Sequence, residues 1–312
     1  MARLLRIEYP GAFYHVTSRG NEQKDVFKSH TDRERFLGYL ESATTRYDAV
    51  IHAYCLMNNH YHLLMETPAG NLSQIMRHLN GAYTTYFNVK RKRSGHLFQG
   101  RYKAILVEAD EYATELSRYI HLNPLSTNIV ARPEEYQWSS YKCYTGQSRS
   151  PSWLKTDFIM KYFAANSAEA SRKYRLFVED KLGKEYENPL KGVVGSSLLG
   201  SLGFIETITA VHLREKTVGR EVSGLRQLTK QPLPEEIIIV VKTVFADNEK
   251  LARQAAMHLC HKHSGSKLKE IGGLFAVCES AITEGSRRFA MKVTEDKQLK
   301  ERLEEVKRKL GI

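Results

Sequence analysis

Residues 59–66 read Asn59-His60-Tyr61-His62-Leu63-Leu64-Met65-Glu66, and Tyr61, Leu63 and Met65 alternate there with His60, His62 and Leu64. That alternation marks a β-strand. Successive side chains on a strand point to opposite faces, so His60 and His62 share one face while Tyr61 turns to the other, toward a core. Two imidazoles placed in this way can approach one metal ion or one phosphate together. Upstream, Val50 to Met57 reads as a second strand, and Asn58-Asn59 supplies the tight turn of an antiparallel pair.

Working outward, Phe13-Tyr14-His15-Val16-Thr17-Ser18 is rich in β-formers and follows the turn Tyr9-Pro10-Gly11. Phe36, Leu37, Leu40 and Ala43 recur at helical spacing after Thr31 or Asp32 as N-cap. Pro68-Ala69-Gly70-Asn71 breaks the sheet. Leu72, Ile75, Met76, Leu79, Tyr83, Tyr86 and Phe87 then mark a helix to about Asn88, and Lys90-Arg91-Lys92-Arg93-Ser94-Gly95 is a basic turn. Tyr102 to Val107 is a further strand. Asp110 caps a helix running through Tyr112, Leu116, Tyr119 and Ile120 to Asn123, where Pro124 should stop it. The order β-α-β-β-α-β-α predicts an α+β domain with a mainly antiparallel sheet over residues 1–145.

Thr145 to Pro151 has the composition of a linker, and 151–215 reads as a small helical linker region with a glycine- and serine-rich part at 192–203. Val218 to Pro234 looks like a second linker. Residues 235–312 are helical throughout. Within them Leu268, Ile271 and Leu274, a turn at Phe275-Ala276-Val277 and a short helix from Glu279 to Phe289 give a loose helix-turn-helix. His258, His261 and His263 with Cys260 match no zinc spacing and read as helix-surface residues.

The chain of 312 residues carries 47 Lys/Arg against 35 Asp/Glu, a net charge of +12 that both halves share, which suits an acidic partner such as nucleic acid. The four cysteines form no C-x-x-C pair and suggest a reducing, cytoplasmic setting. No signal-peptide core and no run of membrane-spanning length is expected.

Tyr119 and Asn123 are four apart on one predicted helix and so lie on one face of it. If that helix covers the face bearing His60 and His62, two imidazoles and an amide oxygen converge beside a phenol. Such a set suits Mg²⁺ or Mn²⁺ when phosphate and water fill the other positions. The phenol of Tyr119 would then be a covalent nucleophile. With a pKa near 10, only about one free tyrosine in a thousand is phenolate at neutral pH, so such a nucleophile needs electrostatic help. His121 falls off the Tyr119/Asn123 face and reads as a solvated or packing residue.

Cys55-Leu56-Met57-Asn58-Asn59-His60-Tyr61-His62, with Tyr119-Ile120-His121-Leu122-Asn123-Pro124 downstream, resembles the single-tyrosine His-hydrophobe-His transposases, and most nearly the branch of REP-associated tyrosine transposases. Phe13-Tyr14-His15-Val16-Thr17-Ser18-Arg19-Gly20-Asn21 and Gly100-Arg101-Tyr102-Lys103-Ala104 resemble that branch too, so the likeness covers residues 8–145. It implies a ferredoxin-like fold, His60 and His62 as metal ligands, Tyr119 as nucleophile and Asn123 where relatives often carry Gln. It also implies a reaction: single-stranded DNA at a hairpin-forming palindrome is cut through a 5′-phosphotyrosine link that leaves a free 3′-OH and can be rejoined. Arg19, Lys90, Arg91, Lys92, Arg93, Arg101 and Lys103 are then candidates for phosphate contacts. The resemblance leaves both a monomer and a homodimer open.

Residues 235–292 resemble the DNA-binding domain of the bacterial replication initiator, without its base-reading segment, where this chain has Cys278-Glu279-Ser280-Ala281-Ile282. This adds duplex DNA as a second partner. A DNA-binding regulator with a vestigial catalytic site, and a hydrolytic phosphodiesterase that forms no adduct, are the alternative readings.

Overall fold

Among the described residues, 6–184, 186–212, 232–264 and 266–310 of the computed structural model, five strands form one sheet. They are β1 (Ala12–Arg19), β2 (Val50–Leu56), β3 (His60–Thr67), β4 (Lys103–Val107) and β5 (Leu198–Leu199). Their order is β2-β3-β1-β4-β5, antiparallel except that β5 runs parallel to β4. Helix α1 (His30–Tyr47) joins β1 to β2, α2 (Leu72–Lys90) joins β3 to β4, and α3 (Ala109–Ser126) follows β4. The first four strands with α1 and α2 make the ferredoxin-like arrangement.

The register sorts the side chains. Tyr14, Val16, Tyr61, Leu63, Met65 and Leu106 face α1 and α2, where Phe36, Leu40, Ile75, Leu79 and Tyr83 complete one core. Ala53, Cys55, Leu64, Ile105 and Val107 face the other way, and Ala113, Leu116 and Ile120 of α3 cover them. Each fully buried Leu, Ile or Phe contributes about 1.5 to 3 kcal/mol. The apolar stripe of α3 thus holds Tyr119 over the histidine-bearing face.

Local details differ from the sequence pattern for physical reasons. The N-cap of α1 is Ser29, whose hydroxyl accepts from the Asp32 N–H at 3.3 Å, while the Asp32 carboxylate is committed elsewhere. Helix α3 nevertheless runs through Pro124 and ends two residues later at Ser126, so the bond to the Ile120 carbonyl that the proline cannot make is lost only in the last turn. The stretch read from composition as a linker region is built into the sheet unit. It contains α4 (Tyr141–Tyr144), α5 (Asp157–Met160), α6 (Ser167–Glu179), β5 and α7 (Leu202–His212). Tyr174 and Val178 of α6 join the core under α3, and Arg118 donates to the Phe177 carbonyl at 3.1 Å. A strand of two residues is too short to show a period. Of the proposed second linker, residues 218–231 lie outside the described residues.

The chain divides into two compact units, Met1–Leu228 and Thr229–Ile312. In the second, helices Pro234–Val244, Glu249–His263, Leu268–Phe275, Glu279–Glu295 and Lys297–Leu310 share a core of Ile237, Val241, Phe245, Leu259, Ile271, Ile282 and Phe289. Leu268–Phe275 and Glu279–Glu295 are joined through Ala276, which has φ 51°. Gly272 is required at this turn, since a Cβ there would meet the Val277 carbonyl oxygen at 2.6 Å. The second helix runs well beyond Phe289, to Glu295. His258 and Cys260, read as surface residues, are buried, with His258 Nδ1 3.0 Å from the Ser286 hydroxyl. Among the described residues no helix is long and apolar enough to cross a membrane.

Candidate active site

β3 begins at His60 and carries His62 two residues on, both on the face under α3. His60 and His62 have ring centroids 5.0 Å apart at 74°. The Tyr119 ring stands nearly perpendicular to that of His62, at 5.7 Å. The structure therefore brings together the histidine pair and the tyrosine, from segments almost sixty residues apart in sequence.

The proton on His60 can be assigned. Its Nδ1 lies 2.6 Å from Asn59 Oδ1, and Asn59 Nδ2 donates to the Gln23 carbonyl at 3.2 Å, which fixes the orientation of the amide. An amide oxygen only accepts, so Nδ1 of His60 carries the hydrogen and Nε2 offers a lone pair. His62 Nδ1 lies 3.0 Å from Nε2 of His15 on β1, and His62 Nε2 is buried without a hydrogen-bond partner. Burial, aided by Arg19, pulls the His60 pKa down to about 4 and, together with His15, His60 and Arg19, holds that of His62 well below its ordinary value. Both imidazoles are neutral at physiological pH, the state in which histidine ligates metals.

Tyr119 is half-buried, and burial raises its pKa, while the side-chain amides of Asn123 and Asn188 act in the opposite sense by hydrogen bonding to the phenol. Asn123 also donates from Nδ2 to the Tyr119 carbonyl at 2.8 Å, leaving Oδ1 the free end of its amide. Tyr119, Asn123 and Asn188 line a cavity of about 490 Å³ together with Lys181, Lys184 and Tyr186. Among the described residues no group of three or more His, Cys, Asp or Glu is arranged to hold a metal.

The basic residues fall into three sets. Arg19 sits directly across from His60, and Lys103 is in register with Thr17, which pairs with His62, so both exposed cations flank the histidines on the same face. Arg101 lines a different cavity, of about 540 Å³, with Arg6, Arg77 and His96; Arg6 lies over the Tyr102 ring at 4.1 Å. The basic turn is split: Lys90 and Arg91 reach the buried Asp32 at 2.9 and 2.5 Å, whereas Lys92 and Arg93 are exposed.

Sequence reasoning placed His15 on a strand but gave it no role, since its partnership with His62 depends on register. Asn188 lies in the stretch read as a linker and left no signal. Arg6 and Arg77 gain meaning only from the cavity that gathers them.

His121 is a packing residue, fully buried, with Tyr174 Oη at 2.7 Å and Ser140 Oγ at 2.8 Å from its two ring nitrogens. Burial lowers its pKa from 6.5 to about 3. The sign follows from linkage. Above about pH 6.5 folded and unfolded states are both neutral at this site; as pH falls toward 3 only the unfolded chain takes the proton, so stability is lost. One such histidine steepens the loss by up to about 1.4 kcal/mol per pH unit. Urea unfolding between pH 7 and 4 is expected to show this, with His121→Phe reducing the slope by close to one proton. An unchanged slope would refute the assignment.

A ferredoxin-like sheet carrying a histidine pair beneath a helix-borne tyrosine defines the class of site. Residues 9–123 match the family model described as "Transposase IS200 like". Among solved structures, a REP-associated tyrosine transposase bound to a REP hairpin is 15% identical, covering 51% of this chain and 93% of that one at a TM-score of 0.41. A protein of Deinococcus radiodurans R1 provisionally described as a transposase is 18% identical, with coverages of 38% and 95% and a TM-score of 0.28. The tRNA(His) guanylyltransferase of Saccharomyces cerevisiae is 10% identical, with coverages of 61% and 85% and a TM-score of 0.30. Likenesses this slight place nothing on the chain, and the family match stands by itself. No curated protein matches.

Proposed function

We propose that the protein is a metal-dependent tyrosine transposase or endonuclease of the REP-associated type, which cuts and rejoins single-stranded DNA at hairpin-forming palindromes. The observation that carries this reading is Tyr119 standing against the His60/His62 pair on one face of the sheet. Two donor atoms suit a divalent cation: Nε2 of His62 is buried without a partner among the described residues, and the His60 proton is on Nδ1, so its Nε2 offers a lone pair. His60, His62 and Asn123 would hold Mg²⁺ or Mn²⁺, with phosphate and water as the remaining ligands. When bound, the cation supplies polarisation of the scissile phosphate and stabilisation of the leaving oxygen.

The chain's own residues do the rest. Tyr119 Oη attacks phosphorus; the Oη–P bond forms as the P–O3′ bond breaks. The phenol gives up its proton and the 3′ oxygen takes one up, so charge balances across the step. The Asn123 and Asn188 amides donate to the phenolic oxygen and favour its ionised form against the opposing effect of burial. Arg19 and Lys103 take the phosphates on either side, and Arg101 with Arg6 and Arg77 takes strand or stem further away. Because the link preserves one high-energy phosphodiester for another, a second 3′-OH can reseal the strand without ATP.

The helix-turn-helix of the second unit, with Arg287 and Arg288 exposed on its second helix, is the surface we assign to duplex DNA. The test of the catalytic reading is a labelled hairpin oligonucleotide incubated with the full chain: a covalent protein–DNA band that needs Mg²⁺ or Mn²⁺ and vanishes with chelator is expected. Clean cleavage with no adduct would point to a hydrolytic phosphodiesterase, and duplex footprinting with no cleavage to a regulator.

A further inference from the structure

Two buried histidines meet in the floor of the site, and only one of them belongs to the motif. His15 and His62 have ring planes within 15° and centroids 5.2 Å apart, with Nε2 of His15 3.0 Å from Nδ1 of His62. The rings lie edge to edge and share one proton position. At the far ends, Nδ1 of His15 and Nε2 of His62 are both buried and without a hydrogen-bond partner. Tyr119 stands edge-on to both rings, 6.0 Å from His15 and 5.7 Å from His62.

A neutral pair has two arrangements. If His15 Nε2–H donates to His62 Nδ1, then His62 keeps its own hydrogen on Nε2 and cannot ligate anything there. If His62 Nδ1–H donates to His15 Nε2, then His62 Nε2 presents a lone pair and His15 carries its hydrogen on Nδ1. Either way one buried N–H lacks an acceptor, so neither arrangement is favoured by the pair's own hydrogen bonding. A cation at His62 Nε2 is compatible only with the second. Contrast His60, whose tautomer Asn59 has already fixed.

We propose that His15 is a positioning residue for the cation site: by accepting the Nδ1 proton of His62 when a cation takes Nε2, it supports the ligating tautomer and holds the ring in its plane. This rests on the reading of His60 and His62 as ligands. Partners behind metal-ligating histidines are worth about 10- to 100-fold in metal affinity.

The test uses the full chain and Mn²⁺ binding followed by electron paramagnetic resonance, independent of DNA cleavage. His15→Phe, which keeps a flat ring but no acceptor, is expected to weaken Mn²⁺ binding about 10- to 100-fold, and His15→Gln, whose amide oxygen can accept, to restore most of it. Wild-type affinity in His15→Phe overturns the proposal. Should that variant fail to fold, long-range ¹H–¹⁵N correlations on the wild type with Mg²⁺ decide: protons on Nδ1 of both His62 and His15 support it, and a proton on Nε2 of His62 overturns it. Absence of any saturable Mn²⁺ binding by the wild type, with the adduct still forming, would overturn the ligand reading and this inference with it. Loss of the adduct alone, with His15-dependent Mn²⁺ binding retained, would count against the covalent chemistry and leave the His15 role supported.

Discussion

Tyr119→Phe is expected to abolish the covalent DNA adduct while leaving the fold and Mn²⁺ binding intact. Phenylalanine keeps the ring that stands against His62 and His15 and removes only the hydroxyl. The ring is half-buried, and the amides that act on its oxygen are Asn123 and the exposed Asn188, so the change in stability should stay within about 1 kcal/mol. Removing the activated nucleophile of a serine protease costs about 10⁶-fold, so adduct formation here should drop to background. Denaturing gels with labelled oligonucleotide read the adduct, and a thermal melt reads the fold. An adduct of undiminished yield would move the nucleophile to another side chain and sink the central assignment.

The second large effect is on stability. Asp32 is fully buried at the start of α1, where its carboxylate accepts from the Lys28 N–H at 2.9 Å and the Tyr86 hydroxyl at 3.1 Å and pairs with Lys90 and Arg91. Burial alone would raise its pKa, but the Lys90 ammonium, the Lys28 N–H and the Arg91 guanidinium outweigh it and hold the carboxyl well below the usual range. Breaking a buried ion pair costs about 3 to 5 kcal/mol when the orphaned charge stays buried. Lys90 and Arg91 retain access to water, so about 2 to 3 kcal/mol is expected for Asp32→Ala, measured by urea unfolding. Freed from Asp32, the two cations should also tighten non-specific DNA binding and steepen its salt dependence. A loss below about 1 kcal/mol would mean the cluster is only a surface network.

Much of the candidate site was legible from local pattern. Alternation set His60, His62 and Tyr61 on their faces, and the i, i+4 spacing of Tyr119 and Asn123 set theirs. What stayed hidden was everything that depends on which strand lies beside which. His15 acquires its partner only through the β1–β3 register, and Asp32 reads as a helix cap until Lys90 and Arg91 fold back on it. Composition misjudged residues 151–212 because short elements with glycine and serine between them carry no period, although Tyr174, Val178 and Leu199 are fully buried under α3 and beside β4.

The short parallel strand β5 also sets the order in which the protein can be completed. Leu199 and the preceding Ser197 offer their carbonyls to the amides of Glu108 and Leu106, at 2.8 and 2.7 Å. Until that late segment has been synthesised, one margin of the sheet stands with open backbone donors, the kind of template on which growing chains stick to one another. Tyr119 waits on the same stretch, since Asn188, whose amide acts on its phenol, arrives nine residues ahead of Ser197. A chain stopped at residue 145 would therefore hold both histidines and the tyrosine and still be an adhesive, unfinished protein.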